Sequence, residues 1–181
     1  MEKIFITGTG RCGTTFMIKL FSFLNFDTGY NRENYKNNIS ANCNSGMERI
    51  YIDKFYIIKN PRIINNIAHI LADTSVKIKT IIIPIRDYEL SAISRVNHGT
   101  QNGGLWNAVN KKTQIEFYNQ IMANYLYYMT KYEINTIFLD FDKMTTNKAY
   151  LFDKIKHILS EKNIEFELFS SVYDEVTLTS K

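Results

Sequence analysis

The sequence has little that marks a secreted or membrane-embedded protein. Its two cysteines, Cys12 and Cys43, are too few for a disulfide framework, and Cys12 lies inside a glycine-rich segment. The apolar run at residues 16–26 is interrupted by Lys19 and is shorter than the roughly 20 residues of a membrane-spanning helix. The first seven residues already have the composition of a strand, so we expect no signal peptide. These features predict a cytoplasmic protein without a membrane span.

The sequence also lacks a large excess of charge of either sign. The chain has 22 Lys and Arg against 18 Asp and Glu, a net charge of +4 and a pI of about 8.9. This balance suits an anionic ligand, but it lacks the clustered Lys/Arg stripe of a duplex-DNA binder, so we expect no nucleic-acid partner. With 181 residues, 45% of them hydrophobic, the chain has the size and composition of one globular domain over residues 1–181.

Hydrophobic periodicity divides the chain into alternating strands and helices. It predicts strands at residues 3–7, 55–58, 80–85 and 136–140, and helices at 14–24, 63–71, 88–97, 114–132 and 151–161. The last of these helices is expected to end the regular structure. Residues 27–54 and 99–112 are predicted loop or lid regions, and the Asn-rich stretch 30–46 is expected to lie outside the core. The alternation indicates an α/β fold with a central parallel sheet flanked by helices, whose ligand lies at the carboxyl ends of the strands.

Residues 8–15, which we call the glycine loop, have the sequence GTGRCGTT and lie between a predicted strand and a predicted helix. Glycines let the backbone wrap around an oxyanion, and the N–H groups of the helix start point at it. Gly8 and Gly13 match the pattern of nucleoside triphosphatases, but Thr14 occupies the lysine position and the cation is Arg11 instead. The predicted anion-binding residues are Gly8, Gly10, Arg11, Cys12, Gly13, Thr14 and Thr15.

Cys12 admits a second interpretation as the nucleophile of a phosphatase. That chemistry needs a thiolate at a helix N-terminus with an arginine six positions later, and the residue there is Ile18. We therefore interpret Cys12 as a small loop residue.

Three motifs resemble those of the P-loop sulfotransferase family. GTGRCGTTF is similar to the loop that binds the 5′-phosphosulfate, and Arg86 with Ser94 eight residues later is similar to the pair that binds the 3′-phosphate. Lys59 opens the sequence KNPR, which resembles the strand-end K-x-P-R of many bacterial members. The resemblance covers roughly residues 3–159, and it implies a three-layer P-loop NTPase-like fold.

The same resemblance implies a reaction. A sulfuryl group would pass from 3′-phosphoadenosine-5′-phosphosulfate to a hydroxyl or amine of a small-molecule, carbohydrate or lipid acceptor, and no metal is expected. Arg11 and Lys59 would stabilise charge on the transferring group. Members that use a glutamate base place it where this chain has Glu33, and His98 is the reserve candidate for the base. Glu48 and Asp53 stay open as alternatives.

Two rival functions are compatible with the sequence. A small-metabolite or nucleotide kinase would use Asp140, at the end of an apolar strand, to hold Mg²⁺. A non-catalytic relative would retain the nucleotide site without the acceptor side. Asp140 and Asp142 also form the D-x-D pattern of nucleotide-sugar transferases, although strand-end carboxylates are common.

Overall fold

A computed structural model describes residues 2–40, 45–98 and 103–179. Within these ranges the strands are Glu2–Ile6 (β1), Ile57–Lys59 (β2), Lys77–Ile85 (β3) and Thr136–Asp140 (β4). The α-helices are Thr14–Phe23 (α1), Ile67–Ala72 (α2), Tyr88–Val96 (α3), Lys111–Lys131 (α4), Phe141–Thr146 (α5), Lys148–Leu159 (α6) and Phe166–Leu178 (α7). No helix among the described residues is both long enough and apolar enough to cross a membrane.

The four strands form one parallel sheet in the order β2-β1-β3-β4. Ile4 of β1 pairs with Ile57 of β2, and Ile6 of β1 pairs with Ile82 of β3. The predicted α/β architecture with a parallel sheet is therefore confirmed. Because β1 is flanked on both sides, the glycine loop that follows it emerges at the middle of the sheet, between the ends of β2 and β3.

Helices cover both faces of the sheet, in an arrangement compatible with three layers. Successive residues of a strand point to opposite faces: Ile4 and Ile6 pack in a cluster with α1, α6 and α7, whereas Phe5 packs in a second cluster with α2 and α4. All three side chains are fully buried. Burial of a side chain of this size contributes about 1.5–3 kcal/mol relative to leaving it exposed, so these two clusters hold the layers together.

Local capping explains where several helices begin. The carboxylate of Asp87 accepts a hydrogen bond from the amide of Leu90 at 2.9 Å and caps α3, as the sequence predicts. Asn110 and Thr113 form a capping box, so α4 begins at residue 111 rather than at 114. The predicted helix 63–71 is instead a 3₁₀ turn capped by Asn60 followed by the short α2.

Two helices were not predicted, and the expectation that regular structure ends near residue 161 is wrong. The short α5 follows β4 directly, and α7 packs against α1. Phe16 of α1 and Tyr173 of α7 meet edge to face with ring centroids 5.6 Å apart. Phe169, Tyr173 and Val176 of α7 are buried, so this helix is part of the core.

The segment 27–54 corrects a second expectation. It carries a 3₁₀ turn at Tyr35–Asn38, and it does not lie wholly outside the core. Tyr30, Tyr35 and Met47 are buried in the cluster on the α1 face, and Tyr35 meets Phe23 of α1 edge to face at 5.0 Å. In the other predicted loop, residues 99–102 lie outside the described part of the chain.

Candidate functional site

The backbone of the glycine loop turns sharply between β1 and α1. Gly13 caps α1 with a φ of 89°, and Gly10 has a φ of 77°, values that favour glycine. Arg11 also lies in the left-handed region, at a φ of 56°, which is unusual for a residue with a side chain. The first N–H groups of an α-helix have no intrahelical partner, and a helix start of this kind after a glycine turn is able to bind an anion.

A cavity of about 660 Å³ lies at this end of the sheet. Its wall combines the glycine loop, the ends of β2 and β3, α1 and the segment 27–54. The lining residues include Gly10, Arg11, Gly13, Thr14, Thr15, Phe16, Lys19, Tyr35, Lys36, Glu48, Lys59, Arg86, Arg95, Phe141 and Thr179. This volume lies in the range of small-molecule and cofactor sites.

On the β3 side of the loop, the structure brings together Arg11, Arg86 and Ser94. Arg11 Nε donates to Ser94 Oγ at 3.1 Å, and Arg86 Nη1 donates to the carbonyl of Arg11 at 3.2 Å. The Arg86 guanidinium lies 4.7 Å from the ring centroid of Phe141. Its Nε is buried and has no hydrogen-bond partner among the described residues. Arg11 and Arg86, far apart in sequence, thus line one cationic part of the cavity, whereas Ser94 contacts Arg11 and is not among the lining residues.

On the β2 side, Lys59 and Glu48 form an ion pair that faces the same cavity. Lys59 is only 1% exposed, and its ammonium donates to the carbonyl of Gly46 at 2.8 Å and to the carboxylate of Glu48. The Glu48 side chain is 42% exposed. Among the described residues that line the cavity, Glu48 is the one carboxylate.

Arg95 supports the glycine loop, and the sequence analysis missed it. Its side chain is 7% exposed and donates to the carbonyls of Thr9, at 3.1 Å, Gly103, at 3.1 Å, and Gly104, at 2.6 Å. A Cβ at Gly10 would lie 2.0 Å from Arg95 Nη2, so the two residues fit only because position 10 is glycine. Arg95 therefore joins the glycine loop to the start of the described segment 103–110.

The two residues named as candidate bases lie away from the cavity wall. Glu33 is exposed in a turn where its amide donates to the side chain of Asn31 at 3.0 Å, and its own side chain is not among the lining groups. His98 follows α3, with Nδ1 at the carbonyl of Ser94, and it does not line the cavity either.

Asp140, the candidate Mg²⁺ ligand of the kinase interpretation, has a structural role. Its carboxylate accepts from the amide of Lys143 at 2.8 Å and caps α5, while its own amide binds the hydroxyl of Tyr150. Asp140 ends β4, and β3 separates that strand from β1. Asp140 is thus held in a helix cap and does not line the cavity, although the next residue, Phe141, does.

Cys12 is fully buried, and burial raises the pKa of its thiol. A thiol kept protonated at neutral pH is a poor nucleophile, in agreement with its interpretation as a small loop residue. In a Cys43→Ser background, we expect iodoacetamide at pH 7.5 to modify Cys12 only as fast as the protein unfolds. Labelling followed by mass spectrometry, with the urea-denatured chain as reference, measures this. Rapid labelling of the native protein would contradict the buried placement.

Comparison of the chain with models of known protein families, with curated proteins and with solved structures gives no match. The fold and the site define the molecule as an α/β protein with a four-stranded parallel sheet and a cationic cavity at the carboxyl ends of β1, β2 and β3.

Proposed function

We propose that the protein is a sulfotransferase that moves a sulfuryl group from 3′-phosphoadenosine-5′-phosphosulfate to an acceptor hydroxyl or amine. The observation that carries the proposal is the arrangement around the glycine loop, with Arg11, Arg86 and Ser94 on one side and Lys59 on the other. The proposed donor has two separate anionic groups, the 3′-phosphate and the 5′-phosphosulfate, and the cavity has two separate cationic groups, Arg11 with Arg86 and Lys59.

The β3 side is suited to the 3′-phosphate of the donor. Guanidinium groups bind phosphate oxygens through short, charge-assisted hydrogen bonds, and Arg86 lines the cavity beside the glycine loop. Ser94 does not line the cavity itself, but its hydroxyl accepts from Arg11 Nε and so positions a guanidinium that does. The sequence resemblance assigned Arg11 to the transferring group, but its side chain points to Ser94, so we assign Arg11 to the 3′-phosphate instead.

The β2 side is suited to the reacting groups. Neighbouring strands lie about 4.8 Å apart, so Lys59 at the end of β2 stands about 10 Å from the end of β3, across the glycine loop. The loop N–H groups would hold the 5′-phosphosulfate between them. Lys59 would stabilise charge on the sulfuryl oxygens and on the departing phosphate.

In the reaction, the acceptor oxygen forms a bond to sulfur as the bond between sulfur and the 5′-phosphate oxygen breaks. The electron pair of that bond leaves with adenosine 3′,5′-bisphosphate, and the acceptor proton goes to a carboxylate. We assign the proton acceptor to Glu48, because it is the one carboxylate among the described lining residues and it contacts Lys59.

Nucleotide preference tests the proposal. Adenosine 3′,5′-bisphosphate should raise the melting temperature more than AMP does, because only the bisphosphate carries a 3′-phosphate for Arg86 to bind. Arg86→Ala should weaken bisphosphate affinity by about 10- to 150-fold, the equivalent of about 1.5–3 kcal/mol for hydrogen bonds to a charged group. AMP affinity should change little. Calorimetric titration of both nucleotides against both proteins measures the effect.

Arg62→Ala is the matched control, since Arg62 is an exposed arginine that does not line the cavity. Equal stabilisation by the bisphosphate and AMP would contradict the assigned 3′-phosphate pocket. A strict requirement for ATP with Mg²⁺ would support a kinase instead. Tight bisphosphate binding without transfer to any acceptor would support a non-catalytic nucleotide-binding protein.

A further inference from the structure

Residues 38–40 and 45–47 form a short antiparallel ladder beside the cavity. Ile39 is bridged to Gly46, and two further backbone hydrogen bonds between the segments measure 2.7 and 2.8 Å. A Cβ at Gly46 would lie 1.9 Å from the carbonyl oxygen of Asn38, so the two segments approach this closely only because position 46 is glycine. The ladder therefore fixes Ile39 directly opposite Gly46.

The same ladder contacts the β2 side of the cavity. The carbonyl of Gly46 accepts a hydrogen bond from Lys59 Nζ at 2.8 Å, and Glu48, two residues farther along the chain, contacts the same ammonium. Ile39 is half-buried and lines the cavity. A ligand whose reacting group lies at Glu48 is therefore within reach of the Ile39 side chain.

The wall on this side has few side chains that can accept a hydrogen bond from a ligand. The ring of Tyr35, the side chain of Ile39 and Pro61 contribute apolar surface, and Glu48 is the one carboxylate among the described lining residues. Side chains of Asn, Gln and Asp are absent from that part of the lining. A hydroxyl that is buried without a partner costs about 1–3 kcal/mol, so a sugar with several hydroxyls fits this wall poorly. An alcohol with one hydroxyl needs only one acceptor.

We propose that the β2 side of the cavity binds an alcohol with a single hydroxyl on an apolar skeleton, and that Ile39 selects for the apolar part. The hydroxyl donates to Glu48, and the carbon skeleton packs on Ile39. Binding of such an alcohol stands on the lining of the cavity, whereas its role as the sulfuryl acceptor rests on the proposed sulfotransferase function. Of the acceptor classes that the sequence leaves open, carbohydrates are then the least suited.

The test uses three alcohols that share a ring of six carbons: cyclohexanol, 4-tert-butylcyclohexanol and inositol. They differ in apolar surface and in the number of hydroxyls. Titration of the isotope-labelled protein, followed through amide chemical shifts, gives both the dissociation constant and the location of each alcohol. We expect the two cyclohexanols to shift the amides of Gly46 and Glu48, and inositol to bind about ten-fold more weakly or not at all, because its extra hydroxyls lose their water.

Two substitutions of Ile39 should give a graded loss. Ile39→Val removes one carbon and should weaken the cyclohexanols by up to about 4-fold, and Ile39→Ala should weaken them by about 4- to 15-fold, the equivalent of one to two buried CH₂ groups. Ile39→Val keeps most of the packing of Ile39 against the core, so the contact is tested even if Ile39→Ala disturbs the fold. Ile50→Ala is the control, because Ile50 is an exposed isoleucine of the same segment outside the cavity wall, and it should leave binding unchanged.

Tighter binding of inositol, or cyclohexanol affinities that both Ile39 variants leave intact, overturns the assignment. So does binding whose chemical shifts lie away from Gly46 and Glu48. If the cyclohexanols bind as expected but adenosine 3′,5′-bisphosphate does not, the alcohol site stands and the sulfotransferase proposal fails. If the bisphosphate binds and the cyclohexanols do not, the nucleotide site stands and the acceptor belongs to another class.

Discussion

Glu48→Gln should lower the turnover of sulfuryl transfer by about 10²–10⁴-fold, the usual contribution of a general base. Glutamine has the size of glutamate, and its amide oxygen can still accept the hydrogen bond from Lys59, but it cannot take up the acceptor proton. Affinity for adenosine 3′,5′-bisphosphate should not fall, because the change removes a negative charge from beside Lys59 and leaves Arg86 untouched. Transfer of labelled sulfate, on an acceptor found by screening phenols, sugars and lipids, gives the turnover.

Glu33→Gln and His98→Asn are the comparison variants, since the sequence names both residues as possible bases and neither lines the cavity. Both variants should retain near-full turnover. Near-full turnover of Glu48→Gln together with a large loss in Glu33→Gln would show that the segment 27–54 rearranges to bring Glu33 to the acceptor, and it would remove Glu48 from the mechanism.

Arg95→Met should destabilise the fold by about 3 kcal/mol. Methionine fills much of the buried volume, but it leaves the carbonyls of Thr9, Gly103 and Gly104 without the guanidinium that binds them. Unsatisfied buried polar groups cost about 1–3 kcal/mol each. For a chain of this size the melting temperature should fall by about 6–12 °C. Urea unfolding followed by circular dichroism gives the free-energy change directly.

Arg62→Met provides the reference for removing an exposed arginine, and it should change the unfolding free energy by less than about 0.5 kcal/mol. Arg95→Lys should lose an amount of unfolding free energy between the losses of Arg62→Met and Arg95→Met, because one ammonium cannot reach all three carbonyls. If Arg95→Met is as stable as the parent protein, the glycine loop does not depend on this buried guanidinium.

The sequence predicts those parts of the site whose signal is local. Asp87 caps α3 as expected, because the cap and the amide it binds are three residues apart. The start of α1 at the end of the glycine loop follows from a glycine-rich stretch that leads into an apolar periodic one. Arg86 and Ser94 lie eight residues apart across a strand end and the next helix, and both contact Arg11, so this part of the arrangement also depends on a short stretch of sequence.

Other parts of the candidate site depend on contacts between segments that are distant in sequence. The pairing of Glu48 with Lys59 depends on a path through residues 49–58 that no periodicity encodes. Arg95 lies in the last turn of α3, where a cation normally interacts with the helix dipole and solvent. Its burial depends on the position of residues 103 and 104. The missed α7 did carry a signal, since Phe166, Phe169, Tyr173 and Val176 recur at helical spacing.

Tyr35 is both a core residue and a residue of the cavity wall. One side of its ring packs against Phe23 in the core, and the residue also lines the cavity beside Lys19. A substitution of Tyr35 that reshapes the cavity is therefore also expected to change the stability of the fold. Exposed neighbours such as Lys36 can vary at little cost in stability, whereas a change at Tyr35 calls for compensating substitutions in α1.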